Sequence, residues 1–260
     1  MARYNLSFAG AGRVAGALCR EMYHSGNRIV QVVSESEKDG RFLAKNCKAL
    51  WSQELIFDES NDIIVVAVPD QKLAKVLSRI ECSEKSVVVH TAGSYGLGVF
   101  PGKLKNKGVF YPLQTFSKGR RINFKNLPFL LEASDPVTGD ILKKLAESVR
   151  GQTYFVDAEH RQMIHLAAVF VNNFTNYMLT AGKEIALKAG LSFELLAPLI
   201  KETVSKALGN GPENSQTGPA VRNDSNTIEK HLELLSFSPD LQNIYREVTQ
   251  SIINHYKEGS

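Results

Sequence analysis

Nine residues near the start of the chain, Phe8-Ala9-Gly10-Ala11-Gly12-Arg13-Val14-Ala15-Gly16, read as G-x-G-x-x-A between an apolar run and an amphipathic stretch. Residues of these sizes at this spacing suit the capture of a dinucleotide pyrophosphate. Gly10 permits a tight turn, Gly12 lets backbone approach the phosphates, and Ala15 lets the following helix lie close to the strands. Arg13 and Val14 open that helix, predicted over Val14–His24, whose free N–H groups and positive dipole end attract an anion. Cofactor choice is made at the tip of the second strand, where Ser34, Glu35 and Ser36 stand. Ser34 and Ser36, with Arg13 and Lys38, suit the 2′-phosphate of NADP, whereas Glu35 turned inward would suit the ribose hydroxyl of NAD. The expected cofactor is NADP, with NAD as the alternative.

Three further strand ends carry polar groups. Val68 and Pro69 are placed to run along the dinucleotide, and His90, Gly93 and Ser94 to border its nicotinamide. The third end is Tyr111-Pro112-Leu113-Gln114-Thr115-Phe116-Ser117. Each of these also reads as an ordinary polar strand-to-helix cap. Hydride chemistry needs a proton donor as well. His165, Val169 and Asn172 follow at i, i+4 and i+7, on one face of a helix, with Asn173 beside them. A histidine titrates in the useful range, and two adjacent amides in an apolar helix need partners. A hydrogen-bonded core histidine is the plain alternative for His165. Arg222, in the loop Thr217-Gly218-Pro219-Ala220-Val221-Arg222-Asn223-Asp224, suits a bidentate clamp on a substrate carboxylate, or is a solvated loop cation. His231 reads as a helix-face residue. No residues stand at metal-ligand spacing.

The elements that must position these groups follow from periodicity. Strands are predicted at Tyr4–Ala9, Arg28–Ser34, Ile63–Val68, Ser86–Thr91, Gly108–Tyr111, Pro128–Glu132 and Gln152–Phe155. Ile63-Ile64-Val65-Val66-Ala67-Val68 is apolar on both faces, as in a strand covered by helices on both sides. A helix at Pro136–Val149 has Asp135 as its cap and Pro136 at its first position. From Ala158 to Ala189 only helical periodicity is present. A helix at Phe193–Leu208, a long loop at Gly209–Asn226, and helices at Thr227–Ser236 and Pro239–Tyr256 complete the chain. The predicted fold class is α/β: a Rossmann dinucleotide-binding domain over residues 1–156, then an all-α domain over 157–260 for substrate binding and dimerisation.

Thirty-one basic residues against 27 acidic leave a net charge of +4 with no concentrated basic stripe, which argues against nucleic acid as a partner. No apolar stretch approaches the roughly 20 residues of a membrane span. Cys19, Cys47 and Cys82 lie far apart in the sequence without a C-x-x-C, which suggests reduced thiols in a cytoplasmic protein.

The glycine motif, Ala67-Val68-Pro69-Asp70, His90-Thr91-Ala92-Gly93-Ser94, Pro112–Ser117, His165–Phe174 and Thr217–Asp224 together resemble one family. It is the Rossmann-like group with C-terminal domain of unknown function 2520, labelled NADP oxidoreductases. More distantly the layout is similar to pyrroline-5-carboxylate reductases and to β-hydroxyacid and 6-phosphogluconate dehydrogenases. The resemblance implies a helical domain, like the 6-phosphogluconate dehydrogenase C-terminal one, through which two copies pair as a homodimer. In the β-hydroxyacid dehydrogenases the equivalent helix carries a catalytic Lys and, four residues on, an Asn. Here the Asn falls on Asn173 and the Lys on Val169, so the proton donor is expected one turn back, at His165. Two departures stand out: Tyr111 where the family has His, and Asn223 where it has Gly. The functional expectation is hydride transfer to or from a small carboxylate-bearing carbonyl or imine compound. The alternative is a sensor or scaffold that binds NADP without turnover.

Overall fold

In the computed structural model, which describes residues 3–117 and 119–257, eight strands form one sheet. In chain order they are β1 (Asn5–Ala9), β2 (Arg28–Val33), β3 (Leu50–Ser52), β4 (Ile63–Val66), β5 (Val87–His90), β6 (Lys107–Pro112), β7 (Pro128–Ala133) and β8 (Gln152–Phe155). Their spatial order is β3-β2-β1-β4-β5-β6-β7-β8, and every neighbouring pair is parallel except β6 and β7. The chain winds outward from β1 to β3, then returns to β4 on the other side of β1. That reversal places a crevice at the carboxyl ends of β1 and β4, where open α/β sheets hold their ligands.

Helices α1 (Arg13–His24), α2 (Glu37–Asn46), α3 (Asp70–Arg79) and α4 (Pro136–Ser148) accompany the strands. The all-apolar β4 is buried at all four positions, with apolar clusters on both sides of the sheet. Burying an aliphatic side chain of this kind is worth about 1.5–3 kcal/mol. Asp135 caps α4 by accepting the Thr138 N–H at 2.9 Å, and Pro136 sits at its start, as the sequence implied. The short β3 was not foreseen, because three residues at a sheet edge are too few for a period-two pattern.

Contacts divide the chain into two compact units, one running to Asn173 and the other beginning at Phe174. The first unit therefore extends past residue 156 and takes in α5 (Ala158–Ala168). Arg161 explains why. It is fully buried and donates to Glu132 of β7 at 2.7 Å and to the Tyr95 carbonyl at 2.6 Å, tying α5 to the sheet.

The predicted unbroken helix from Ala158 to Ala189 is interrupted by a π-helical turn at Val169–Phe174, after which α6 (Thr175–Lys188) continues. A widened turn shifts the helical register by a residue, and such turns gather at functional sites. In the second unit, a 3₁₀ turn at Phe193–Leu196 precedes α7 (Ala197–Asn210). Pro198 falls in the first turn of α7, where its missing N–H costs nothing. Helices α8 (Ser225–Leu234) and α9 (Pro239–Lys257) pair through His231 Nδ1 and the Tyr245 hydroxyl at 2.8 Å. Asp224 caps α8, accepting from the Thr227 N–H at 3.1 Å and its hydroxyl at 2.7 Å. Asn223 has φ of +52°. Asparagine is among the few side chains that tolerate this left-handed backbone, so Asn and Gly are alternatives here for one physical reason.

Candidate functional site

Gly10 ends β1 with φ of +116°, its N–H donating to the Val33 carbonyl at 2.7 Å. A Cβ at this position would collide with the Ala67 carbonyl that leaves β4. The turn across the crevice therefore demands glycine. Gly12 differs: a Cβ there meets nothing of the protein within 4 Å, and its backbone caps α1 with no side chain bonded to the first turn. Arg13 is exposed and Val14 half-buried beyond it, while Ala15 is fully buried in the core. An open backbone cradle at an uncapped helix N-terminus suits a dinucleotide pyrophosphate. Val68 lines the approach to Gly10, and Pro69 begins α3.

Ser34 and Ser36 are less available than the sequence suggests. Ser34 is buried, donating to the Ser36 carbonyl at 2.9 Å and accepting from Trp51 Nε1 at 3.2 Å. Ser36 caps α2, accepting the Asp39 N–H at 3.3 Å and donating to its carboxylate at 2.9 Å. Trp51 lies on β3, the strand the sequence did not reveal, so nothing warned that Ser34 would be covered. Glu35 pairs with Lys72 at 2.5 Å, and that ammonium holds its carboxyl below the usual range. Arg13 and Lys38 are the exposed cations among the residues considered there.

His90 requires a correction. It was expected to border the nicotinamide, yet it is wholly buried and stacks on Phe100 with ring centroids 5.3 Å apart. Its Nδ1 accepts from the Ala92 N–H at 3.2 Å. Its Nε2 makes no hydrogen bond of normal geometry among the described residues, although the Gly96 backbone lies near enough to favour the protonated ring slightly. Apolar neighbours on both faces of β5 claim the ring for the core. Burial pushes its pKa down to about 4 from the ordinary 6.5, so the folded protein holds the neutral ring. Protonation favours the unfolded chain, so this contribution to stability is whole above pH 6.5 and is lost as the pH falls toward 4. The total is roughly 3 kcal/mol. Unfolding free energies of wild type and His90→Gln between pH 7 and 4.5 should diverge, wild type falling more steeply. Parallel curves would remove His90 as the source.

Gly93 and Ser94 sit where the site is assembled. A Cβ on Gly93 would meet the His165 ring at 2.8 Å and the Tyr111 ring at 3.1 Å, so glycine lets these two side chains come together. Tyr111 Oη and His165 Nδ1 are 2.8 Å apart, with the rings edge to face. Burial and the Asp70 carboxylate hold the Tyr111 hydroxyl above its ordinary pKa, so it stays a phenol at neutral pH. Ser94 donates to Asp70, and its carbonyl accepts from Gln162 of α5 at 2.9 Å. Tyr111, at the end of β6, thus meets a histidine from α5.

Tyr111 and His165 stand on the wall of a cleft of about 600 Å³ that also includes Arg13 and Val14 at the start of α1, the Leu113–Phe116 segment, Val169, Asn172 and Asn173. Asn172 Nδ2 donates to Asn173 Oδ1 at 3.2 Å. The helix face that carries His165 also carries Asn172 and Asn173 into this cleft, across the π turn at Val169–Phe174. Of the predicted residues, Arg13, Val14, His165, Asn172 and Asn173 converge here, and Gly93 supports them. Arg222 lies in the second unit, exposed on its loop. Arg161 and Glu132 carry almost no sequence signal beyond an arginine one helical turn before His165. Among the described residues no group of acidic, histidine or cysteine side chains is arranged to hold a metal, and no helix is long and apolar enough to cross a membrane.

Residues 5–93 match the family described as NADP oxidoreductase, coenzyme F420-dependent, and residues 127–252 match the domain of unknown function DUF2520. The "putative NADP oxidoreductase" BF3122 of Bacteroides fragilis is 38% identical over 97% of this chain and 98% of that one, with a TM-score of 0.90. The chain belongs to this NADP oxidoreductase family. Protein TM1727 of Thermotoga maritima, at 23% identity, shares the fold with a TM-score of 0.73 over 98% of this chain and 99% of that one. A reductive aminase of Aspergillus terreus in complex with NADPH and ethyl-5-oxohexanoate shares it at 10% identity, TM-score 0.72, over 98% and 95%. No curated protein matches the chain. Membership of the oxidoreductase family accords with the glycine turn, the strand order and the helical segment that follows the sheet.

Proposed function

We propose that the protein is an NADP(H)-dependent oxidoreductase acting on a small carboxylate-bearing imine or carbonyl compound. The observation that carries this is the Tyr111–His165 pair on the wall of a cleft that also contains the opening of α1. Gly10, Gly12, Arg13, Val14 and Ala15 hold the pyrophosphate, Arg13 and Lys38 meet the 2′-phosphate, and Val68, Pro69, Gly93 and Ser94 run along the remainder. NADPH, when bound, supplies the hydride. The Tyr111 phenol hydrogen-bonds His165 Nδ1 and so turns Nε2–H toward the substrate; as that proton passes to the substrate nitrogen or oxygen, the Tyr111 proton follows onto Nδ1 and solvent replenishes it. Asn172 and Asn173 orient the substrate. The imine reductase of Myxococcus stipitatus in complex with NADP+ and the Aspergillus reductive aminase support the imine class. The absence of a lysine at Val169 keeps a second reading in view, an NADP-binding protein without turnover.

Calorimetric titration with NADPH and separately with NADH tests the cofactor. NADPH is expected to bind more tightly, and Gly10→Ala to lose about 5- to 150-fold in affinity, since the strained turn costs about 1–3 kcal/mol. Equal binding by Gly10→Ala, or none by wild type, overturns the cradle. Steady-state reduction of cyclic imino acids and keto acids separates turnover from binding alone.

The same reading makes the protein a homodimer. Leu166, Phe170, Val171, Leu195, Leu199 and Leu208 are each about half exposed or more, far more apolar surface than scattered single residues explain. A second copy of the helical segment is the proposed cover. Sedimentation at micromolar concentration should give twice the chain mass, and a monomer would sink the idea.

A further inference from the structure

Cys19 and Cys47 are separated by 28 residues in the sequence but their Sγ atoms lie 3.4 Å apart. Cys19 is in the middle of α1, and Cys47 is the cap that ends α2. Both are reduced. At the amino ends of β1 and β2, the opposite end of the strands from the glycine turn, a second cleft of about 480 Å³ opens. Tyr4, Asn27, Arg28 and Lys48 line it, and Cys47 forms part of its wall. Cys82, the third cysteine, is half-buried and has no thiol neighbour among the described residues.

We propose that Cys19 and Cys47 are an oxidisable dithiol site, which a hydroperoxide entering this cleft converts to a disulfide linking α1 to the end of α2. Cys47 is the attacking group. The Cys19 thiol donates to it and Arg20 lies nearby, and these hold the Cys47 thiol below its ordinary pKa, while Cys19 is held well above by the same hydrogen bond and by burial. The Cys47 thiolate attacks the terminal peroxide oxygen, the O–O bond breaks, and the alkoxide (hydroxide when the oxidant is hydrogen peroxide) leaves and takes up a proton, with a sulfenic acid formed on Cys47. The Cys19 sulfur then attacks that sulfur, the S–O bond breaks, and water leaves. In sum two thiols and one hydroperoxide give one disulfide, with water and the reduced peroxide fragment as the other products. To form the bond the sulfurs must close from 3.4 Å to about 2.05 Å. Cys47 is only 1% exposed, so the oxidant must be small, and bulky disulfides are poor reagents for it.

The test uses the whole protein with hydrogen peroxide under native conditions, followed by alkylation of free thiols and peptide mapping. The expected product has lost the mass of two hydrogens, yields a Cys19–Cys47 cross-linked peptide that dithiothreitol reverses, and leaves Cys82 alkylated. Cys82→Ser should form the same cross-link, and Cys47→Ser should form none. Recovery of Cys19 and Cys47 both alkylated, over-oxidation of Cys47 without a cross-link, or a bond to Cys82 overturns the proposal. The wild-type map alone decides if Cys47→Ser fails to fold.

Discussion

His165→Ala is expected to lower kcat for imine or carbonyl reduction by about 10²–10⁴-fold, the usual worth of a positioned proton donor. NADPH affinity should stay within about twofold, because His165 acts on the substrate rather than on the pyrophosphate cradle. The Tyr111 hydroxyl bonded at 2.8 Å to Nδ1 gives the companion variant. Tyr111→Phe keeps the ring that Gly93 accommodates and removes only the group that fixes the tautomer, so its loss should be smaller and should alter the pH profile of kcat. Stopped-flow and steady-state rates with a saturating imine substrate provide the check. An unchanged rate in His165→Ala takes His165 out of the chemistry, and unchanged binding with no turnover in wild type favours the sensor reading.

Arg161→Met should be the most destabilising single change in the first unit. Arg161 is fully buried, its guanidinium meets Glu132 and the Tyr95 carbonyl, and its Nε has no partner among the described residues. Removing one partner of such a buried pair costs about 3–5 kcal/mol, because the other charge is left without compensation. For a unit of this size that is a fall in unfolding midpoint of roughly 6–20 °C. Pairing it with Glu132→Leu should recover much of the loss, since an apolar pair of similar volume avoids the stranded carboxylate. Differential scanning calorimetry decides, and a midpoint within about 2 °C of wild type for Arg161→Met would show that the tie contributes little. The tie also bears on the site: Arg161 is one turn before His165, so loosening α5 should weaken the Tyr111–His165 contact.

The cofactor half of the site was open to reading because its determinants are local. Gly10 and Gly12 are dictated by backbone conformation, which depends on adjacent residues, and Ala15 by the spacing of one helix against one strand. Strand boundaries came within a residue or two wherever apolar runs were long, as at β4, and failed at β3, where three edge residues carry no period. The half of the site beyond the dinucleotide was legible only as candidates. His165, Asn172 and Asn173 could be marked by type, since a histidine and two amides in an apolar helix need a reason to be there.

Which of those candidates meet was decided by tertiary structure. A π turn interrupts the helix at Val169–Phe174, and no sequence period announces it. His90 and Ser34 sit at strand tips like Gly93, yet packing against Phe100 and Trp51 withdraws them into the interior. Those neighbours come from residues 10 and 17 positions away, beyond the range of any local rule. The Tyr111–His165 bond joins residues 54 apart, Arg161–Glu132 residues 29 apart, and the two thiols residues 28 apart. The sequence by itself determined the elements and the phosphate-binding turn, because short-range sterics and hydrophobic periodicity suffice for both. Only the tertiary structure decided which polar side chains share a cleft and which are sealed in the core, because those contacts form when distant segments close over a common hydrophobic interior.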